Sequence, residues 1–83
     1  MITPDDIIVE ARASLIAHES IRVDLDTPNS KTSWQLILKD KIWDLGEWEL
    51  IRDAKRMAAL LILGWNYDQA HIIVRDHIDI SLY

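Results

Sequence analysis

The expected architecture turns on Trp43-Asp44-Leu45-Gly46-Glu47-Trp48. An apolar residue, a capping acid, two spacers, a second acid and another apolar residue follow one another. That order suits a capping box with a hydrophobic staple: Asp44 takes an orphan amide, Glu47 reaches back, and Trp43 packs on Trp48. Read this way, a helix runs from Leu45 to about Leu63, and Gly64 supplies a left-handed stop. Trp48, Ile51, Ala54, Ala58 and Leu61 share one stripe at helical spacing. Met57-Ala58-Ala59-Leu60-Leu61-Ile62-Leu63 is apolar all round, so it must be buried on several sides. The spacing predicts this helix as the spine of the core.

The same signal occurs twice more. Ile2-Thr3-Pro4-Asp5-Asp6-Ile7 opens a first helix from Pro4 to about Glu19. Thr3 caps it, Pro4 suits its first turn, and Asp5 and Asp6 favour the positive end of the dipole. Ile7, Ile8, Ala11, Leu15 and Ile16 form its apolar stripe, and no glycine marks its end. Trp65-Asn66-Tyr67-Asp68-Gln69-Ala70 opens a third helix to about His77, capped by Asn66 or Asp68, with Ala70, Ile73, Val74 and His77 inward. His71-Ile72-Ile73-Val74 is β-prone as well. Ile78, Ile80 and Leu82 alternate with polar residues and Tyr83, as in a short final strand.

Between the first two helices the period switches to two. Ile21, Val23 and Leu25 alternate with Arg22, Asp24 and Asp26; Trp34, Leu36 and Leu38 alternate with Gln35, Ile37 and Lys39. With Thr27-Pro28-Asn29-Ser30-Lys31-Thr32 between them, these runs predict an antiparallel hairpin that lays its apolar face on the helices. Ile37 is apolar on the outward face, so either another element covers it or a partner meets it. The expected fold is α+β: an N-terminal helix, an antiparallel β-hairpin, a long central helix, a short third helix and a C-terminal edge strand.

Eighty-three residues predict a single domain over 1–83, with a modest core. The absence of cysteine excludes disulfides and thiolate metal sites and favours a cytoplasmic setting. The N-terminus is acidic where a secretory signal is basic, and the longest apolar run is far below the roughly 20 residues of a membrane span. The net charge of −5 divides into −4 over residues 1–30, +2 over 31–41 and −3 over 42–83. Nucleic acid is repelled by most of such a surface.

The residues that carry chemistry form no catalytic pattern. His18, His71 and His77 lack ligand spacing; on a helix, positions 71 and 77 lie about 120° apart. Gly46 and Gly64 are the only glycines, so no phosphate-binding loop exists, and no nucleophile turn is present. Asp24 and Asp26 would stand about 7 Å apart on one side of a strand, but no third ligand is near, and outward acids also guard strand edges. The expectation is no enzyme, no metal and no cofactor. Arg52, Lys55 and Arg56 share one helix face. With Lys39 and Lys41 they compose one positive patch suited to an acidic peptide or phosphate groups. The plainer alternative is a solvated face laced by Glu49–Arg52 and Asp53–Arg56 pairs. Among four tryptophans, Trp43 is the one expected at the surface, beside Lys39 and Lys41; Trp34, Trp48 and Trp65 are expected to pack.

Three local likenesses accompany this reading. Leu60 to Val74, with Leu63-Gly64-Trp65 at the turn and Ala70 and Val74 beyond it, resembles the first two helices of a ubiquitin-associated domain. The same junction is similar to a helix-turn-helix with Asn66 to Arg75 as the reading helix, which implies DNA contact. The order helix, hairpin, helix, with Glu49-Leu50-Ile51-Arg52, Lys55 and Leu61-Ile62, resembles the β-hairpin docking domains of peptide synthetase subunits, which implies capture of a partner's tail by strand addition.

The expected function is non-catalytic binding of another protein or peptide, as a docking, adaptor or inhibitory module. The contact is expected on Trp34, Ile37, Lys39, Lys41 and Trp43 along the hairpin edge and on Arg52, Lys55 and Arg56 of the helix. Self-association into a homodimer is a variant. The alternative is a nucleic-acid-associated role, as a helix-turn-helix reader or an acidic decoy for a DNA-binding protein.

Overall fold

Thr3 caps the first helix as its spacing requires. In the computed structural model, which describes residues 2–24 and 27–80 (side chains outside 20–31), helix α1 spans Pro4–Glu10. The Asp6 amide donates to Thr3 Oγ1 at 3.2 Å, and the Thr3 amide donates to the Asp6 carboxylate at 2.9 Å. The helix then stops, well short of Glu19. Arg12 adopts φ 57°, the Arg12 amide bonds to the Val9 carbonyl, and the Ala13 amide bonds to that of Ile8. This is a Schellman stop with arginine where glycine is usual, which is why no stop is visible in the sequence.

From Ser14 the chain is extended. Strand β1, Ser14–Asp24, pairs antiparallel with β2, Thr27–Leu38, from Ser14↔Ile37 to Asp24↔Thr27. The expected turn over Thr27 to Thr32 is therefore part of β2. The Asp24 and Asp26 carboxylates lie outside the described residues. Leu15 packs on the core and Ile16 is 38% exposed, so the two residues that a helix would place on one stripe occupy opposite faces.

The largest departure is at Trp43 to Trp48. It opens no helix: strand β3, Lys41–Glu47, lies along the other side of β2, giving the order β1-β2-β3. The register runs Gln35↔Asp44 and then Trp34↔Gly46, so β3 carries one extra residue, and Gly46 sits at φ 90°. This bulge resets the strand's phase. Leu45 is fully buried, and three residues later Trp48 is buried too, its amide donating to the Thr32 carbonyl at 3.1 Å. A flat strand cannot turn positions 45 and 48 to one side; a helix can, and so can a bulged strand.

Helix α2 is Ile51–Ile62, without a side-chain cap at Leu50. Its end is as predicted: Gly64 has φ 102°, and the amides of Gly64 and Trp65 bond to the carbonyls of Leu61 and Leu60. Ala54, Met57, Ala58, Ala59 and Leu60 are fully buried. Helix α3 is Tyr67–Arg75; Asn66 caps it by accepting from the Gln69 amide at 2.8 Å. Ala70, Ile73 and Val74 face inward, but His77 is exposed, because it is the left-handed residue (φ 54°) of a third Schellman stop. Residues 78–80 form no strand, and 81–83 lie outside the described residues. The fold is α+β, with the expected order of helices and hairpin and an added strand. Ile8 of α1, Leu36, Leu45 and Trp48 meet α2 and α3 in one core on one face of the sheet.

The helix stops can be ranked. A Cβ at Gly64 meets nothing within 4 Å, so Gly64→Ala costs only the left-handed conformation, about 1 kcal/mol, or about 4–8 °C in Tm. Arg12→Gly raises stability by about 0.5–1 kcal/mol. At Gly46 a Cβ would stand 2.8 Å from the Tyr67 hydroxyl, so Gly46→Ala costs more than Gly64→Ala, and adding Tyr67→Phe recovers part of the loss. Denaturant titration of the set measures the order.

A pH dependence follows from the first cap. The Thr3 amide, and then the Thr3 side chain, hold the Asp6 carboxyl below its ordinary 3.8. A lowered folded-state value means that the cap's contribution is complete above pH 3.8 and is lost as pH falls through the lower value. NMR titration of Asp6 should give a midpoint below 3.8, and Asp6→Asn should flatten the acid loss of stability.

Candidate interaction surface

Directly paired residues of an antiparallel sheet point to the same face. Leu15, Trp34, Leu36 and Leu45 face the helices. On the other face the register sets Ser14, Ile37 and Ile42 in one row, with Ile16, Gln35 and Asp44 in the next. Three isoleucines, one from each strand, thus adjoin on the side away from the core. Ile42 is 65% exposed and Ile16 38%, with Ile37 half-buried between them.

The polar groups of this face are engaged with one another. Gln35 Nε2 donates to Asp44 Oδ1 at 3.2 Å, and Gln35 Oε1 lies 2.9 Å from His18 Nε2. With the glutamine oxygen accepting, the histidine proton sits on Nε2. Ile37 was a sequence signal for this surface. Ile16 and Ile42 were hidden, because one was placed in a helix and the other in a strand that the sequence reading lacked.

The remaining predicted site residues take several positions. Trp34 faces the core, its indole N–H donating to the Trp48 carbonyl at 2.9 Å. Strand β2 has a neighbour on each side along Ser33–Ile37, so that stretch offers no edge for strand addition; the sheet's edges are β1 and β3. Lys39, Lys41 and Trp43 do come together, lining a recess of about 340 Å³ with Leu38 and Asp40. The Lys41 ammonium stands 6.0 Å from the Trp43 ring centre, at the limit of cation–π range. Trp43 is 44% exposed, as expected, but Trp65, expected to pack, is 39% exposed.

Arg52 and Arg56 line a second recess of about 360 Å³ with Pro4, Asp53 and His77. The two recesses share no residue. Lys41 begins β3 and α2 starts beyond the strand's other end, about 20 Å along the chain direction. The lysines and the helix cations thus line separate recesses. Lys55 ties α2 to α1 through Asp5, Nζ to Oδ1 2.9 Å, and Arg56 donates to the Ile78 carbonyl. Arg52 lies 3.9 Å from Asp53. On α3, Arg75 pairs with Asp76 at 3.1 Å; the contact raises the arginine's affinity for its proton and lowers that of Asp76.

Among the described residues no three His, Cys, Asp or Glu side chains gather as metal ligands, and no helix is long and apolar enough to cross a membrane. Comparison with protein-family models, curated protein sequences and solved structures finds no match.

Proposed function

We propose that the chain is a non-catalytic protein-binding module whose contact is the outward face of its sheet. The Ile16–Ile37–Ile42 stripe, open to water with the helices all packed on the other side, carries this reading. Apolar side chains in a row on a rigid sheet fit a partner's apolar surface without reordering. The Trp43 recess and the Arg52–Arg56 recess lie off this face: Trp43 is paired with Leu36 and so points to the helix side, and Arg52 and Arg56 belong to α2.

A nucleic-acid role has the α2–α3 junction as its support, a helix, a glycine turn and a second helix. Its reading helix holds Arg75 paired to Asp76, together with Asp68, which leaves little positive charge for a groove.

Ile42→Lys and Ile37→Lys separate the readings. Each should leave the circular dichroism and Tm near wild type, since neither residue is in the buried core. Each should weaken retention of the native partner by about 30-fold or more, the scale of a central contact. Arg52→Glu, off the face, should weaken it far less. Unchanged retention in both lysine variants would contradict the proposal, as would tight DNA binding that falls steeply with salt.

A further inference from the structure

We infer that the open edge of β3 takes a short extended peptide as an added antiparallel strand, with a carboxylate side chain over Lys41 and an aliphatic one beside Ile42. The contact uses the β3 backbone and the recess on the helix side, and shares only Ile42 with the isoleucine stripe.

The backbone supplies the first argument. Leu38 and Lys41 flank the two-residue turn Lys39-Asp40, with Lys39 at φ 57°. Residues flanking such a turn bond to each other through their backbones, and bonded and non-bonded pairs then alternate along the strands. Trp43 is therefore bonded to Leu36, whereas the amides and carbonyls of Ile42 and Asp44 point away from β2. No strand lies beyond β3, and among the described residues no hydrogen bond reaches those backbone groups. The bulge that follows and the Trp48 indole on the Leu45 carbonyl close the run. The edge thus fits a short segment and does not template a long strand.

The side chains say what the segment carries. Lys41, Ile42, Trp43 and Asp44 are all exposed, Ile42 at 65% on the outward face and Trp43 at 44% on the helix side. Lys41 and Trp43 border a recess of about 340 Å³ with Leu38, Lys39 and Asp40, and the Lys41 ammonium lies 6.0 Å from the Trp43 ring centre. Two ammonium groups stand there against one carboxylate, in a chain of net charge −5. The charge drawn to that place is negative. Directly opposed residues share a face, so an added strand sends every second side chain to the recess and the others to Ile42. Acid alternating with aliphatic answers both sides. A lysine on an edge strand guards against pairing in general; here it turns away cationic segments and admits acidic ones.

The probe is a blocked peptide of about six residues, valine alternating with glutamate. In NMR titration of the full chain it should bind saturably, with Kd about 1 mM or tighter. The shifts should centre on Lys41, Ile42, Trp43 and Asp44, with slowed hydrogen exchange at the Ile42 and Asp44 amides. N-methylation of the valines, whose amides face β3, should abolish binding; N-methylation of the glutamates, whose amides face water, should change it by no more than about two-fold. Lysine in place of glutamate should weaken the peptide about ten-fold, and Lys41→Glu should reverse that preference while keeping the wild-type circular dichroism spectrum. Ile37→Lys, on the sheet face in β2, should leave peptide binding unchanged, so failure of the stripe and failure of the edge are told apart. Three results overturn the inference. One is no saturable shift up to about 10 mM peptide. Another is an equal effect of the two methylations. The third is protection of Ile42 and Asp44 that grows with the concentration of the chain alone, the mark of a second copy on the edge.

Discussion

The structure depends on a clasp between two tryptophans at one corner of the sheet. The Trp34 indole donates to the Trp48 carbonyl, the Trp48 amide donates to the Thr32 carbonyl, and the Trp48 indole donates to the Leu45 carbonyl at 2.6 Å. The last two close the strand's end on itself and on β2, and the first pins the chain where it leaves the sheet for α2. Each bond contributes about 1 kcal/mol, and losing one partner leaves a shielded carbonyl or amide unmet, which costs about 1–3 kcal/mol. The Gly46 bulge makes the clasp reachable, since only a phase change within β3 turns Leu45 and Trp48 to the same side. Beyond the clasp, His71 packs against the Trp48 ring at 5.1 Å and Tyr67 stacks on His71 at 5.9 Å, so α3 is seated on the same tryptophan. Among the described residues no buried side-chain polar atom is left without a partner.

How much of this was legible in the chain depends on what each residue had to declare. Thr3-Pro4 and Gly64 act through local chemistry, a side-chain oxygen or a missing Cβ, and are readable in the sequence, as is Asn66 as one of two candidate caps. Arg12 and His77 take the left-handed position without any such mark, so one helix end was lost and one histidine was placed on the wrong side. Trp48 is buried, as its place on the apolar stripe predicts, but for a different reason, because a bulge imitates helical spacing. A helix from Leu45, with Trp43 and Asp44 as its staple and cap, leaves no third strand and makes β2 an outer strand. Its backbone was then credited with an edge that β3 in fact occupies.

The same error shaped the expected site. Ile37 was visible as an outward apolar residue, while its cross-strand neighbour Ile42 could appear only after the third strand was in place. The basic residues were correctly spaced on α2, yet spacing along one helix does not show what the neighbouring elements bring: Asp5 from α1 and the Ile78 carbonyl after α3 engage two of the three. Side-chain pattern placed the outward apolar residue Ile37 better than charge pattern placed the cations. Apolar residues can be placed by period alone, whereas a cation's freedom depends on partners distant in sequence.

Exchange of the four indole protons tests the corner most directly. In a two-dimensional NMR spectrum recorded in heavy water, the Trp34 and Trp48 indole signals should persist long after those of Trp43 and Trp65 have vanished. A Trp34 indole that exchanges as fast as that of Trp43 would mean that the clasp does not exist, and the bulged strand, the seating of α3 and the bare sheet face would lose their common support.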